Sequence, residues 1–92
     1  MSDFKPNLTN LLQAVKDPST CGFEVAWHAG RVGGYPQIRL NGETRWLRAD
    51  TGHGLTLARL SLEGHGFRTP AKGITADVLR YVALDQRGAD NG

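Results

Sequence analysis

The chain opens with apolar residues at helical spacing. They recur every three or four positions, which is the period of a helix that buries one stripe. The positions that carry this period are Leu8, Leu11, Leu12 and Val15. Pro6 suits the first turn of a helix and Asp17-Pro18 stops one. The pattern therefore predicts a short amphipathic helix over about residues 6–16, followed by a turn at 19–22.

The period then changes to two. Phe23, Val25 and Trp27 alternate with more polar positions, as in a strand with one buried side. We expect a first strand with these three side chains facing the core, followed by a glycine-containing loop at 29–33 with Arg31 at its tip.

The stretch 34–50 predicts a β-hairpin centred on Asn41-Gly42. A two-residue type I′ turn needs positive φ at both central positions, and Asn-Gly meets that need at least steric cost. The predicted register sets Leu40 opposite Glu43 and Gln37 opposite Trp46, and successive residues alternate between the faces. The face predicted to meet the core carries Pro36, Ile38, Leu40, Leu47 and Ala49, with Glu43 and Arg45. The opposite face carries Tyr35, Gln37, Arg39, Thr44, Trp46 and Arg48.

Two helices are predicted after Asp50. Leucines at 55, 57, 60 and 62 favour a helix over 54–63 with Thr51 as its cap, although Leu55-Thr56-Leu57 also fits the start of a strand. Thr75 is predicted to cap the last helix, with Ile74 packed on Leu79 and Gly88 ending it. The residues of that helix expected in the core are Val78, Leu79, Val82 and Tyr81.

Together these elements predict one α+β domain of 92 residues, with a three-stranded antiparallel β-meander packed against two or three short helices. Residues 1–5 and 88–92 are expected to be flexible.

Charge is concentrated in the middle of the chain. The net charge is +2 and the pI is about 9.0, but residues 31–72 hold seven cations and three acids, a local +4. Such a distribution attracts polyanions or acidic partner surfaces. With a single cysteine, Cys21, no internal disulfide forms, and with no membrane span or signal-like segment the expected setting is the cytoplasm.

No spacing in the sequence predicts catalysis, a metal site or a cofactor. The available groups are Cys21, His28, His53, His65, Asp50 and Glu63. No Cys-x-x-Cys or His-x-x-x-His pair brings two ligands together, and the glycines at 30–34 and 52–54 lack the ending of a phosphate loop. The sequence favours binding over enzyme activity, with no cofactor.

The polar and aromatic hairpin face is the strongest functional signal. Tyr35, Gln37, Arg39, Thr44, Trp46 and Arg48 combine cations, hydrogen-bonding groups and flat rings on one ribbon. Such a ribbon can enter the major groove of DNA, where Arg and Gln read base edges, or its rings can stack on exposed bases. In the competing interpretation a helix covers Tyr35 and Trp46 and the arginines lie at the rim.

The short strings within residues 27–51 also resemble a known family. These are Trp27-His28, Gly34-Tyr35, Gln37-Ile38-Arg39, Asn41-Gly42, Arg45-Trp46-Leu47 and Asp50-Thr51. They resemble the β-sheet DNA-binding domain of the plant ethylene-response-factor type, which also occurs in phage and homing-nuclease proteins. The resemblance implies a three-stranded sheet in the major groove, backed by one helix, with contacts from Gln37, Arg39, Thr44 and Trp46. The chain departs from the family at Arg48, where the family has Gly, and at Ala49, where it has an aromatic residue.

Two functional hypotheses follow. The first is a nucleic-acid-binding module for DNA or RNA that uses this face. The second is a small phage-encoded inhibitor, for example an anti-CRISPR protein, that binds a host nucleic-acid-handling complex through protein contacts, since Arg, Trp and Tyr are typical of binding hot spots. A homodimer formed through the exposed edge of the first strand is a third interpretation.

Overall fold

The structure is a computed structural model that describes residues 8–69 and 71–91, with the side chains of 11–69 and 71–86. Its elements are α1 (Leu8–Val15), α2 (Pro18–Cys21), β1 (Phe23–Gly30), β2 (Gly33–Leu40), β3 (Leu47–Arg48), α3 (Gly52–Gly64) and α4 (Lys72–Asn91). The three strands form one antiparallel sheet in the order β1-β2-β3. The predicted α+β meander is confirmed, with four helices in the described part of the chain.

The core lies between the helices and one side of the sheet. Phe23 and Val25 from β1 and Ile38 from β2 are buried, as their alternation predicts. The helices contribute their buried residues to the same cluster, from Leu11 and Val15 in α1 to Leu79 and Val82 in α4. We call this side of the sheet the inner face and the opposite side the outer face.

The first helix ends where the sequence predicts, before Asp17-Pro18. The segment predicted as a turn is instead the four-residue helix α2. The Asp17 side chain caps it by accepting hydrogen bonds from the Ser19 amide and hydroxyl, and these bonds lower the pKa of Asp17. The predictions about Pro6 and about flexible residues 1–5 fall outside the described residues.

The predicted register of the second hairpin is wrong by two residues. Gln37 lies opposite Arg48, and Ile38 opposite Leu47, so residues 41–46 form the connection. Gly42 has a φ of 88° while Asn41 keeps a negative φ, and the Glu43 amide donates to the Leu40 carbonyl. These features fit a type II turn rather than type I′.

Contacts made by Asn41 explain this turn. Its amide donates to the Gly22 carbonyl at 3.0 Å and its side chain donates to the Pro18 carbonyl at 3.0 Å. Asn41 is therefore held by the end of α2 and does not close a tight hairpin. Because a shift of two residues keeps every side chain on its own side of a strand, the predicted division into two faces survives.

Helix α3 is confirmed over the strand alternative, and it ends at the Gly64–Gly66 stretch as expected. Thr51 stands at the N-cap position but its side chain makes no capping hydrogen bond. Gly54, in the first turn of α3, lies so close to β3 that a Cβ there would be 1.8 Å from the Arg48 carbonyl oxygen. The absence of a side chain at this position permits α3 to pack against the sheet.

The boundaries predicted for the last helix are wrong. α4 begins at Lys72 and continues past Gly88 to Asn91. Thr75 is a buried residue within the helix, and its hydroxyl donates to the Ala71 carbonyl, because a threonine inside a helix can bond back by four residues. Val78, Leu79 and Val82 are buried as predicted, whereas Ile74 and Tyr81 are exposed. The flexibility expected of 88–92 stays a prediction.

Candidate functional site

The outer face is built from alternate residues of the three strands. The register places Glu24, Ala26 and His28 of β1 opposite Arg39, Gln37 and Tyr35 of β2. None of these side chains belongs to the core cluster, and they are half-buried or exposed. The face predicted from the hairpin alone thus gains a third strand, which contributes an acid, a small residue and an imidazole.

Arg39 is the centre of one row across this face. Its Nε donates to a Glu24 carboxylate oxygen at 3.0 Å, and its Nη2 donates to the same oxygen. On the other side its guanidinium carbon lies 4.9 Å from the centroid of the Trp46 ring, which is cation–π distance. Arg39 is therefore oriented by an acid on β1 and by a ring that directly precedes β3.

Tyr35 is the centre of a second group. Its ring stacks on His28 with centroids 4.7 Å apart and an interplanar angle of 24°. The guanidinium carbon of Arg48 lies 4.4 Å from the Tyr35 ring centroid. The outer face thus holds two arginine–ring pairs, Arg39 with Trp46 and Arg48 with Tyr35, and Gln37 lies on β2 between Tyr35 and Arg39.

Arg48 is tied to the fold through Asp50. Its Nε donates to Asp50 at 2.6 Å, and Arg80 of α4 approaches the other carboxylate oxygen at 3.4 Å. The Asp50 side chain is only 7% exposed. The hydrogen bonds from Arg48, helped by the positive charge of Arg80, lower the pKa of Asp50. The hydrogen bond to Asp50 in turn raises the pKa of Arg48. This triad anchors one edge of the outer face to α4.

Five of the six predicted site residues come together on the outer face: Tyr35, Gln37, Arg39, Trp46 and Arg48. Thr44 is exposed in the connection between β2 and β3 and lies outside the paired strands. The covering helix of the competing interpretation is not found among the described residues, because their buried helical side chains join the inner-face core.

Sequence reasoning missed Glu24 and His28 as members of this surface and Arg80 as a partner of Asp50. The period-two alternation of β1 already places Glu24 and His28 opposite the buried side, so extending the register to β1 would have found them. Arg80 is thirty residues from Asp50 along the chain, and no local pattern signals that pair.

Two of the groups weighed for catalysis, Cys21 and His65, are engaged with backbone carbonyls. Cys21 is buried, its thiol lies 3.1 Å from the Phe23 carbonyl oxygen, and burial raises its pKa. His65 donates from Nδ1 to the Ser61 carbonyl at 2.8 Å, while His28 stacks on the outer face. Within 8–69 and 71–91, no cluster of three or more His, Cys, Asp or Glu residues could hold a metal ion.

A shallow cavity of about 230 Å³ opens on the other side of the hairpin. It is lined by Leu40, Glu43, Arg45, Leu47, His53 and Leu57. Arg45 there is exposed, and no ion pair of its side chain is found in the described part of the chain. Arg45 is thus an arginine on the hairpin that lies away from the outer face.

Comparison of the chain with protein-family models, with curated proteins and with solved structures found no match. The candidate site therefore rests on its own geometry. None of the helices described is both long enough and apolar enough to cross a lipid bilayer.

Proposed function

We propose that this protein is a non-catalytic binding module that holds a nucleic acid against the outer face of its sheet. The observation that carries the proposal is the pair of cation–π contacts, Arg39 on Trp46 and Arg48 on Tyr35. A stacked guanidinium has few rotamers left to lose on binding, and its edge still carries donors for phosphate or guanine. Two such groups flank Gln37, which can pair with adenine.

The ring contacts favour duplex recognition over the stacking of single-stranded bases. Tyr35 already contacts His28 and Arg48, and Trp46 already contacts Arg39. A base stacking on these rings would first have to displace those partners. Phosphate oxygens and base edges in a groove can bind to polar side-chain atoms without displacing the partners of the rings. We therefore take double-stranded DNA as the preferred ligand.

The two arginines have different roles in this proposal. The Arg39–Glu24 pair is partly exposed, and such pairs contribute only about 0–1 kcal/mol. A phosphate can therefore replace Glu24 at little cost. The Asp50 partner of Arg48 is nearly buried and is shared with Arg80, so Arg48 mainly supports the surface. Arg39 is the arginine expected to contact the ligand.

Electrophoretic or anisotropy titrations with labelled duplex and single strands at low salt test this function. Arg39→Ala should weaken duplex binding about tenfold, and binding of the wild-type protein should fall steeply as salt rises. Arg45→Ala removes the same charge away from the outer face and is the matched control. Failure of the wild-type protein to retain any DNA or RNA would reject the proposal.

A protein partner is the second candidate, and one observation favours it. Glu24 and Asp50 offset part of the positive charge of the outer face, which weakens attraction to a polyanion, while Trp, Tyr and Arg remain typical of protein-binding hot spots. A phage-encoded inhibitor of a host nucleic-acid-handling complex, such as an anti-CRISPR protein, is the concrete form. Capture of such a complex that survives nuclease treatment and is lost in Trp46→Ala would support it.

A further inference from the structure

The β1–β2 hairpin extends beyond the rest of the sheet. β3 pairs only with Gln37 and Ile38, and the Ala49 amide adds one bond to Pro36. The pairs from His28–Tyr35 to Gly30–Gly33 therefore have no third strand beside them. Residues 28–33 are all exposed. We call residues 29–34 the arm.

Within the arm, only the two tip residues carry side chains larger than a methyl group, and the Trp27 ring lies against Gly34 at its base. Ala29, Gly30, Gly33 and Gly34 add at most a methyl group to the backbone. The two tip residues are Arg31 and Val32. A φ of 115° falls on Gly33 while both tip residues keep negative φ, which fits a type I turn followed by a glycine bulge.

Folding does not account for the tip residues. Val32 is 98% exposed, although hairpin tips more often carry Gly, Asn or Asp. No ion pair or hydrogen bond of the Arg31 side chain is found among the described residues. The tip therefore places an unpaired cation, Arg31, beside a fully exposed β-branched residue, Val32. Both lie at the end of a two-stranded ribbon, which suits them to insertion into a narrow groove.

We propose that the arm inserts Arg31 and Val32 into the minor groove of the DNA duplex that the outer face holds, an inference that rests on the proposed function. The minor groove is about 6 Å wide, so a tip without bulky neighbours can approach it. Its negative potential attracts arginine where it is narrow, and apolar side chains pack against its walls or wedge between base steps.

The position of the arm relative to the outer face supports this arrangement. Both belong to the same two strands, and the His28–Tyr35 stack lies where the arm begins. Three residues of strand reach about 10 Å, enough for the tip to pass one sugar–phosphate backbone while the face remains in the neighbouring groove. The arm would thus act as a second anchor and limit the orientations of the bound duplex.

Duplex titrations with Arg31→Ala, Val32→Ser and the double variant test the proposal, with Arg45→Ala as the charge-matched control. Arg31→Ala should weaken binding about tenfold and reduce the slope of log affinity against log salt by about one. Val32→Ser should weaken binding several-fold with an unchanged slope, because it removes no charge. A ligand that fills the minor groove, such as netropsin, should weaken duplex binding by the wild-type protein. It should leave duplex binding by the double variant unchanged.

The outcomes separate the arm from the outer face. If the double variant binds duplex like the wild-type protein while Arg39→Ala does not, the arm proposal is overturned and the proposed function stands. If the wild-type protein binds no nucleic acid, both fall. If the arm variants instead lose a protein partner that survives nuclease treatment, the minor-groove assignment is wrong. Thermal unfolding should be the same for all the arm variants, since neither side chain is packed.

Discussion

Arg39 donates to the Glu24 carboxylate on one side and lies against the Trp46 ring on the other, with 4.9 Å between its guanidinium carbon and the ring centroid. Three strands or strand ends therefore contribute to the position of one cation. Because the acid that holds it is partly exposed, Arg39 is oriented by Glu24 but can exchange that partner for a ligand. The same face holds Arg48 through the nearly buried Asp50.

Substitution of Arg39 should accordingly affect binding, whereas substitution of Arg48 should affect stability. Arg39→Ala should leave the midpoint of thermal unfolding close to that of the wild-type protein, since an exposed pair contributes about 0–1 kcal/mol. Arg48→Ala should lower the midpoint, because it removes the main hydrogen-bond donor to Asp50. Calorimetry of the two variants provides the comparison. Equal midpoints would contradict the anchoring role given to Arg48.

Asp50 should make stability depend on pH in the acid range. Its pKa is lowered in the folded state from an ordinary value of 3.8, so its stabilisation is full above that value and is lost as the pH falls through the folded pKa. Asp50→Asn should lower the free energy of unfolding by about 1–3 kcal/mol at neutral pH. The difference in this free energy between the variant and the wild-type protein should narrow below about pH 4. Urea unfolding at several pH values measures this gap; a gap independent of pH would refute the assignment.

Gly54 should tolerate no side chain. In Gly54→Ala the new Cβ would lie 1.8 Å from the Arg48 carbonyl oxygen, so α3 or β3 must shift, and we expect a loss of about 3 kcal/mol or more. Gly64→Ala is the matched control within the same helix, because a Cβ at Gly64 would meet nothing within 4 Å. That control should be neutral or slightly stabilising. Chemical denaturation of both variants measures the difference, and similar stabilities would contradict the close packing of α3 on β3.

The division of the hairpin into two faces was predictable from the sequence, whereas its register was not. Alternation of Ile38 and Leu40 with Gln37 and Arg39 identifies the buried side of β2 whatever strand lies beside it. The register depended on Asn41, whose bonds to Gly22 and Pro18 come from a part of the chain about twenty residues away. A turn rule that considers only Asn41-Gly42 cannot include them.

The start of α4 was missed for a related reason. Thr75, with Asp77 after it, has the local pattern of a helix start. The helix begins at Lys72 instead, and Thr75 is buried with its hydroxyl satisfied by Ala71. The burial of Thr75 is tertiary in origin and no local pattern signals it, which is also true of the Asp50–Arg80 pair.

Cys21 should be unreactive in the folded protein. Its thiol is fully buried, and burial raises its pKa above the ordinary 9.0. A thiol-specific disulfide reagent at neutral pH should modify the native protein slowly and the urea-unfolded protein rapidly. Rapid labelling of the native protein would show that the thiol is accessible and would reopen its role as a nucleophile.

The fluorescence of Trp46 tests directly whether the outer face is the contact surface. Trp27 packs against the core on the inner face. In the Trp27→Phe protein the tryptophan emission therefore comes from Trp46, which lies beside Arg39. In the Trp46→Phe protein it comes from Trp27, on the other side of the sheet. Titration with duplex DNA at low salt should change the emission of the Trp27→Phe protein more than that of the Trp46→Phe protein, whose Trp27 ring lies against Gly34 of the arm. Binding that changes only the emission of Trp27, or that changes neither emission, would contradict the placement of the ligand on the outer face.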